Sequence, residues 1–307
     1  MISFDIGGSA IKSGLIQSDG SVDGDLARRT IDSTAGAQEI LAELTEAIEA
    51  AHGRAGESTV IGVTVAIPGP FDYRRAISRM NGLGKFEALY GLELDSLLRR
   101  RLPQLSSLPW RWVNDAAAFA LGELHYGAAR GMERAVFLTL GTGCGSAFAV
   151  DGALVSEGEG VPENGYVYPL PYRGAVVDEW LSQRGLWRLW REVAGSGRIE
   201  DEIDGAELAD LARSGDERAA ETYRRFGEAL AAALAPVFAG FRAQRVVLGG
   251  QISRSADLFV PAARQALVQN AEVSPTPDLV TAMRLDAAAL QGAASQLLVE
   301  GKPGTNS

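Results

Sequence analysis

Two Gly-rich turns, each set between short β-type runs and each followed by an Asp-Gly hairpin turn, constrain this chain most. The first runs Phe4-Asp5-Ile6-Gly7-Gly8-Ser9, continues through Ile11-Lys12 and Leu15-Ile16, and reaches Asp19-Gly20. The second runs from Phe137 to Leu140, turns at Gly141-Thr142-Gly143-Cys144-Gly145, and continues through Ala147 to Val150 and Asp151-Gly152. Glycines between strands let backbone N–H groups approach an anion closely, and a neighbouring Asp or Thr can hold a metal or a phosphate. Two such loops about 130 residues apart suggest a duplicated scaffold closing on one phosphorylated ligand, the outline of a two-lobed phosphotransferase.

Composition narrows the partners. A chain of 307 residues with 46% hydrophobic content can bury a substantial core and is long enough for two domains. Its net charge of −10, from 29 Lys and Arg against 39 Asp and Glu, argues against nucleic acid as the main partner. The single cysteine, Cys144, excludes an intramolecular disulfide and any multi-cysteine zinc site, and it reads as a small packing residue rather than a nucleophile. No charged-then-apolar leader and no apolar run of transmembrane length is present, so the expectation is a cytoplasmic protein without a membrane partner.

Between the motifs, strand and helix patterns alternate, which predicts an α/β class. Ile40, Leu41, Leu44, Ala47, Ile48 and Ala51 recur at helical spacing behind Ser33 or Thr34 as a cap. The run from Val60 to Ile67 reads as a buried strand ended by Pro68-Gly69-Pro70. A helix near 93–102, a strand over 110–113 and an Ala-rich helix from Asn114-Asp115 follow. Helices are expected over 178–193, 216–241 and 286–298, with a short strand at 245–248 entering Gly249-Gly250. The expected domains are a small N-terminal lobe over 1–113, completed by the C-terminal helix 286–299, a large lobe over 114–285, and a polar tail over 300–307 that should fray.

Seven motifs in order resemble those of the ROK family of sugar kinases: Asp5-Ile6-Gly7-Gly8-Ser9 with Lys12; Pro68-Gly69; Asn81; Asn114-Asp115 with Gly122-Glu123; Gly141-Thr142-Gly143; Glu163-Asn164-Gly165; and Leu248-Gly249-Gly250. The resemblance covers nearly the whole chain. It implies the two-lobed actin-like (ribonuclease H-like) ATPase fold, a duplicated domain with central mixed sheets flanked by helices. Gly-Gly-Ser-Ala-Ile-Lys and Leu-Thr-Leu-Gly-Thr-Gly also look like the glucokinase branch, which includes polyphosphate-using members.

Phosphoryl transfer to a sugar hydroxyl needs a carboxylate to orient the hydroxyl and accept its proton, with backbone donors and Mg²⁺ around the phosphates. Asp115 fits either this base or a helix N-cap ahead of Ala116-Ala117-Ala118; the motif order selects the base. By the same resemblance Asp5 lies near Mg²⁺ and the phosphates of ATP, and Lys12 approaches phosphate, although an exposed strand lysine competes as a reading. Gly7, Gly8, Ser9, Gly141, Thr142, Gly143, Gly249 and Gly250 form the nucleotide loops. Gly69, Asn81, Asn114, Asp115, Glu163, Tyr166 and Asp178 are implied at the sugar, with Asn81-Gly82 equally readable as a turn. The Trp180, Trp187 and Trp190 series reads as core.

The chain departs from the family at Tyr166, where most members carry His, and at Tyr168-Pro169-Leu170-Pro171-Tyr172-Arg173-Gly174, which replaces a Cys-rich zinc loop. One Cys cannot build that cluster, so no zinc site is expected. Val177-Asp178-Glu179-Trp180-Leu181-Ser182 aligns with a Leu-Glu-x-x-x-Ser motif and puts Asp178, one methylene shorter, where a sugar-binding Glu usually sits. Tyr for His resembles zinc-free β-glucoside kinases and puts free glucose in question. Three functions follow: a kinase transferring the γ-phosphoryl of ATP to the 6-hydroxyl of a hexose such as glucose; a kinase for a β-glucoside, mannose or amino sugar, or one using polyphosphate as donor; and a catalytically weak sugar-binding regulator. The resemblance also implies a homodimer.

Overall fold

The computed structural model describes residues 1–56, 58–195 and 203–300. The chain divides into two compact units, one of Met1–Gly127 with the stretch from Asp286 onward, the other of Ala128–Leu285. The expected fraying tail, 301–307, lies outside the described residues. Among the described residues no helix is long and apolar enough to cross a membrane.

The first unit is built on β1 (Ile2–Ile6), β2 (Ala10–Ile16), β3 (Val22–Thr30), β4 (Val63–Ile67), a two-strand ribbon of β5 (Phe71–Asp72) and β6 (Ile77–Ser78), and β7 (Trp110–Asn114). The main sheet has the order β3-β2-β1-β4-β7, antiparallel across β1, β2 and β3 and parallel across β1, β4 and β7. All five residues of β4 are buried, as a near-continuous apolar run in the middle of a covered sheet must be. The strand starts at Val63 rather than Val60, because Ile61 is half-exposed and Gly62 sits where a Cβ would press on the Pro109 carbonyl oxygen at 3.0 Å.

Helix α1 (Ala37–Ala55) buries the apolar face read from its spacing. Its cap is Gly36, not Ser33 or Thr34: Glu39 accepts from the Gly36 N–H at 3.0 Å, while Thr34 is drawn into a turn with Asp32. Helix α2 (Leu94–Arg101) turns Leu94 and Leu98 inward. Helix α3 (Asp115–Tyr126) packs on the C-terminal helix (Ala288–Glu300) so closely that Cβ atoms at Gly122 or Gly292 would collide with the opposing backbone at Ala288 or Ala118. A boundary after residue 113 would have cut α3 away from this partner. The backbone contact, which only glycine permits, keeps α3 in the first unit.

The second unit repeats the pattern. Strands β8 (Arg134–Leu140), β9 (Cys144–Val150) and β10 (Ala153–Val155) form an antiparallel meander; β11 (Pro171–Tyr172) and β12 (Ala175–Val176) form a ribbon; β13 (Arg245–Gly249) and β14 (Asp278–Thr281) add parallel to β8. The order β10-β9-β8-β13-β14 matches that of the first sheet position by position. Helix α4 (Gln183–Ala194) begins later than the expected 178. A 3₁₀ turn at Val177–Glu179 precedes it, and Gly185 accepts the Trp180 backbone where no Cβ would fit, so Trp180 stands outside the helix that carries Trp187 and Trp190. Helices α5 (Gly205–Arg213), α6 (Glu217–Phe241) and α7 (Ala256–Gln269) cover the sheet, with Asp216 capping α6 through the N–H groups of Arg218 and Ala219.

Candidate active site

In the first unit the parallel strands end together. The register that sets Asp5 beside Ala66 and Ile67 beside Asn114 brings Asp5, Pro68-Gly69 and Asp115 to one edge, outside the carboxyl ends of β1, β4 and β7, where open α/β sheets bind ligands. Asp5 pairs across the hairpin with Lys12, whose Nζ lies 3.9 Å from Asp5 Oδ2 and 3.4 Å from Asp286 Oδ1. Burial pushes the Asp5 carboxyl up to about 6, against the pull of Lys12 and with help from the negative charges of Asp115 and Asp286. Lys12 is therefore a carboxylate partner rather than an unengaged surface lysine.

Asp115 does not cap α3. Asn114 does, its Oδ1 accepting from the Ala117 N–H at 3.1 Å while its Nδ2 donates to the Tyr73 hydroxyl at 3.0 Å. Asp115 is the first helical residue, and its Oδ1 accepts from the Ala116 N–H at 2.9 Å. Burial raises its carboxyl above the usual range, opposed first by the charge of Lys85. Gly69 lies under the same Tyr73 hydroxyl, 3.1 Å from where its Cβ would be. Asn81 is exposed on the bend that continues through Gly82 and Gly84, both at positive φ.

The first Gly loop spans Gly7–Ala10, closed by the Gly7 N–H on the Ala10 carbonyl at 2.8 Å, with Ser9 exposed. A Cβ on Gly8 would meet only Lys85 Cδ at 3.6 Å and Ser33 Oγ at 3.9 Å. Lys85 and Asp286 were missed in the sequence reading. Lys85 sits in a loop whose end is pinned by the Phe86 N–H on the Ser33 carbonyl at 2.6 Å, and Asp286 arrives from beyond the second unit. Their only sequence signals were a lysine among turn glycines and an acidic start to the final helix.

In the second unit the loop Gly141–Gly143 joins β8 to β9, and Gly250, at positive φ, packs against the Leu140 backbone where a side chain would clash. Gly249, Gly250 and Gly141 thus stand together at the carboxyl ends of adjacent parallel strands. Thr142 is exposed. Glu163 and Tyr166 lie exposed on a strap pinned to β9 by buried Ser146, whose hydroxyl donates to the Gly165 carbonyl at 2.7 Å and accepts from the Val167 N–H at 3.0 Å. Tyr166 and Tyr168 pair ring to ring, 5.5 Å between centroids. Asp178, expected at the sugar, has both carboxylate oxygens bonded within its own unit. Its Oδ1 accepts from the Cys144 N–H at 2.7 Å, and Oδ2 bonds the Arg184 guanidinium. Cys144 is buried, and burial together with Asp178 pushes its thiol far from the thiolate.

Among the described residues no three His, Cys, Asp or Glu side chains are grouped to hold a metal ion, so a cation at Asp5 would draw its other ligands from phosphate and water. The arrangement offers two backbone loops suited to anions and, in the first unit, a carboxylate pair with two lysines.

Relatives carry the same architecture. The chain is 30% identical over 319 residues to the glucokinase of Thermotoga maritima, covering 96% of each. An N-acetyl-D-glucosamine kinase of Photobacterium profundum is 30% identical over 59% of this chain and 64% of its own. A crystal structure of a ROK family glucokinase from Streptomyces griseus in complex with glucose and AMPPNP superposes with a TM-score of 0.76, at 24% identity over 96% of this chain and 98% of that one. The fold is that of the actin-like ATPases. Residues 1–300 match the ROK family, and the chain belongs to it.

Proposed function

We propose that the protein is a carbohydrate kinase that transfers the γ-phosphoryl group of ATP to a hydroxyl of a hexose, the primary 6-hydroxyl of a sugar such as glucose. The observation that carries this is Asp115: a half-buried carboxyl, raised by burial, that leaves helix capping to Asn114 and faces the charge of Lys85 beside the Asp5–Lys12 pair. The sugar oxygen attacks the γ-phosphorus, the bond to the bridging oxygen breaks, and ADP leaves with that electron pair. Asp115 orients the hydroxyl and takes its proton as the new bond forms. Its raised carboxyl makes it a better proton acceptor than an ordinary aspartate.

The loop N–H groups around Gly7–Ser9 and Gly141–Gly143, with Gly249 and Gly250, suit the phosphates, and Lys12 adds charge. Mg²⁺ fits Asp5, a hard oxygen donor whose near neighbours are two carboxylates against one lysine; bound there with ATP, it neutralises phosphate charge. Gly69, Asn81 and Asn114 in the first unit, and Glu163 and Tyr166 in the second, are assigned to the sugar. Asn114 caps α3, holds Tyr73 and hydrogen-bonds the Asp115 side chain, so it also orients the carboxyl assigned as the base.

A homodimer in the cytoplasm is the proposed state. The test is a panel of glucose, mannose, N-acetylated hexosamines and a β-glucoside against ATP and polyphosphate with Mg²⁺, read by ADP or sugar-phosphate release. Transfer to at least one sugar from ATP is expected. Transfer from polyphosphate alone would move the donor assignment, and sugar binding without transfer would favour a regulator.

A further inference from the structure

Resting on the kinase reading, we infer that Asp178 is a positioning residue for the nucleotide loop and not a sugar ligand. Its Oδ1 accepts from the Cys144 N–H at 2.7 Å, the first donor after the loop Gly141-Thr142-Gly143. A Cβ built on Gly143 would lie 2.9 Å from the same oxygen, so the absence of a side chain at 143 is what admits the carboxylate. Five residues on, the Gln183 N–H donates to the Gly141 carbonyl at 2.8 Å. One segment, 178–183, therefore grips the loop at both ends. Within the loop the Gly141 N–H closes on the Gly143 carbonyl at 3.0 Å, and the N–H groups of Thr142 and Gly143 are the donors the inference assigns to the phosphates.

A bare carboxylate beside a phosphate loop would repel the ligand. The Arg184 guanidinium on Oδ2 cancels that charge, and Glu179 in turn holds Arg184 at 3.2 Å and Arg188 at 3.6 Å. The same segment anchors the strap: the Asp178 N–H donates to the Tyr168 carbonyl at 3.1 Å and the Val177 N–H to the Leu170 carbonyl at 2.8 Å. Both carboxylate oxygens are committed, and the methylene by which Asp is shorter than Glu sets Oδ1 at hydrogen-bond distance from the loop. A glutamate would carry its oxygens past this donor.

The experiment titrates Mg²⁺·AMPPNP into the full-length protein and its variants without sugar, and measures KM for ATP and for the best sugar alongside kcat. Asp178→Ala should weaken AMPPNP binding and raise the ATP KM by about tenfold or more, the loss of a charged hydrogen bond, while the sugar KM moves less than twofold. Asp178→Glu should fail to restore nucleotide binding. Arg184→Gln, at an exposed side chain that leaves folding intact, should shift nucleotide binding in the same direction by a few-fold and supplies the answer if Asp178→Ala does not fold. A raised sugar KM with unchanged AMPPNP binding, or rescue of sugar affinity by Asp178→Glu, would overturn the inference. Wild-type protein that binds AMPPNP but phosphorylates no sugar would instead sink the kinase reading and leave the loop measurement standing.

Discussion

The two units share one strand order but surround their Gly loops differently. In the first, the loop Gly7–Ala10 is flanked by charge: Asp5 pairs with Lys12, and Asp115, Asp286 and Lys85 lie close by. In the second, the position matching Asp5 is Thr139, facing Gly145 across the hairpin, and the loop is held by hydrogen bonds from the 178–183 segment. A Cβ fits at Gly8 and not at Gly143. On the proposed reading both turns serve the phosphates, and only the first stands near a carboxyl, Asp115, assigned to take the proton.

The largest effect should come from the charged half. Asp115→Asn should cost about 10²–10⁴-fold in kcat, the usual contribution of a general base, with sugar and nucleotide binding kept because Asn114 still caps α3. Steady-state kinetics decide it; near-normal kcat would erase the contrast between the units.

Next, the glycines should separate. Gly143→Ala must displace Asp178 or the loop and should weaken AMPPNP binding about tenfold, whereas Gly8→Ala meets only ordinary contacts and should change it by less than about threefold. Equal losses at the two positions would show that the loops are interchangeable.

Acidity sharpens the same contrast. Because the folded Asp5 value lies at about 6, above its ordinary 3.8, the native state binds more protons than the unfolded chain between those values, and Asp5's contribution to stability falls as pH rises through that window. At pH 7, Asp5→Asn should therefore raise the unfolding free energy by about 1–3 kcal/mol while abolishing activity. For wild-type protein, binding of Mg²⁺·AMPPNP should weaken as pH falls through about 6, and the variant should lose this pH dependence. A less stable Asp5→Asn protein in denaturant titrations at pH 7 would mean that the Lys12 pairing outweighs burial.

The smallest shift belongs to the strap. Tyr166→Ala should lower kcat/KM for every sugar by up to about tenfold, the worth of one lost contact, and Tyr166→His should move the ratio toward free glucose. Constant ratios across the panel would place Tyr166 outside the sugar site.

What could be read in advance was local. The Gly loops, the Asp-Gly hairpins, the apolar stripe of α1 and the start of α3 each depend on neighbours within a few residues, so residue type and spacing carry them. Lys85 and Asp286 come to Asp5 and Asp115 from a bend and from the far end of the chain, and no period or cap records such a meeting. The loop contacts of Asp178 escape sequence reading for another reason. Motif spacing treats 178–182 as the opening of a helix, but Asp178 and Gln183 bond to the Gly141–Cys144 turn and hold the segment as a 3₁₀ turn before α4 begins.

The C-terminal helix has a consequence for synthesis. Ser3 donates to the Leu290 carbonyl at 2.7 Å, Gln291 donates to the Gly20 carbonyl at 2.7 Å, and Gly292 rests on the Ala118 backbone. One face of the first sheet is therefore completed by a helix that follows Ala128–Leu285, an uninterrupted stretch with a core of its own. The face of the early strands that packs on α1 and α2 can close at once, but the face that takes the C-terminal helix stays open while that stretch is made, a window in which chaperone occupancy should concentrate there.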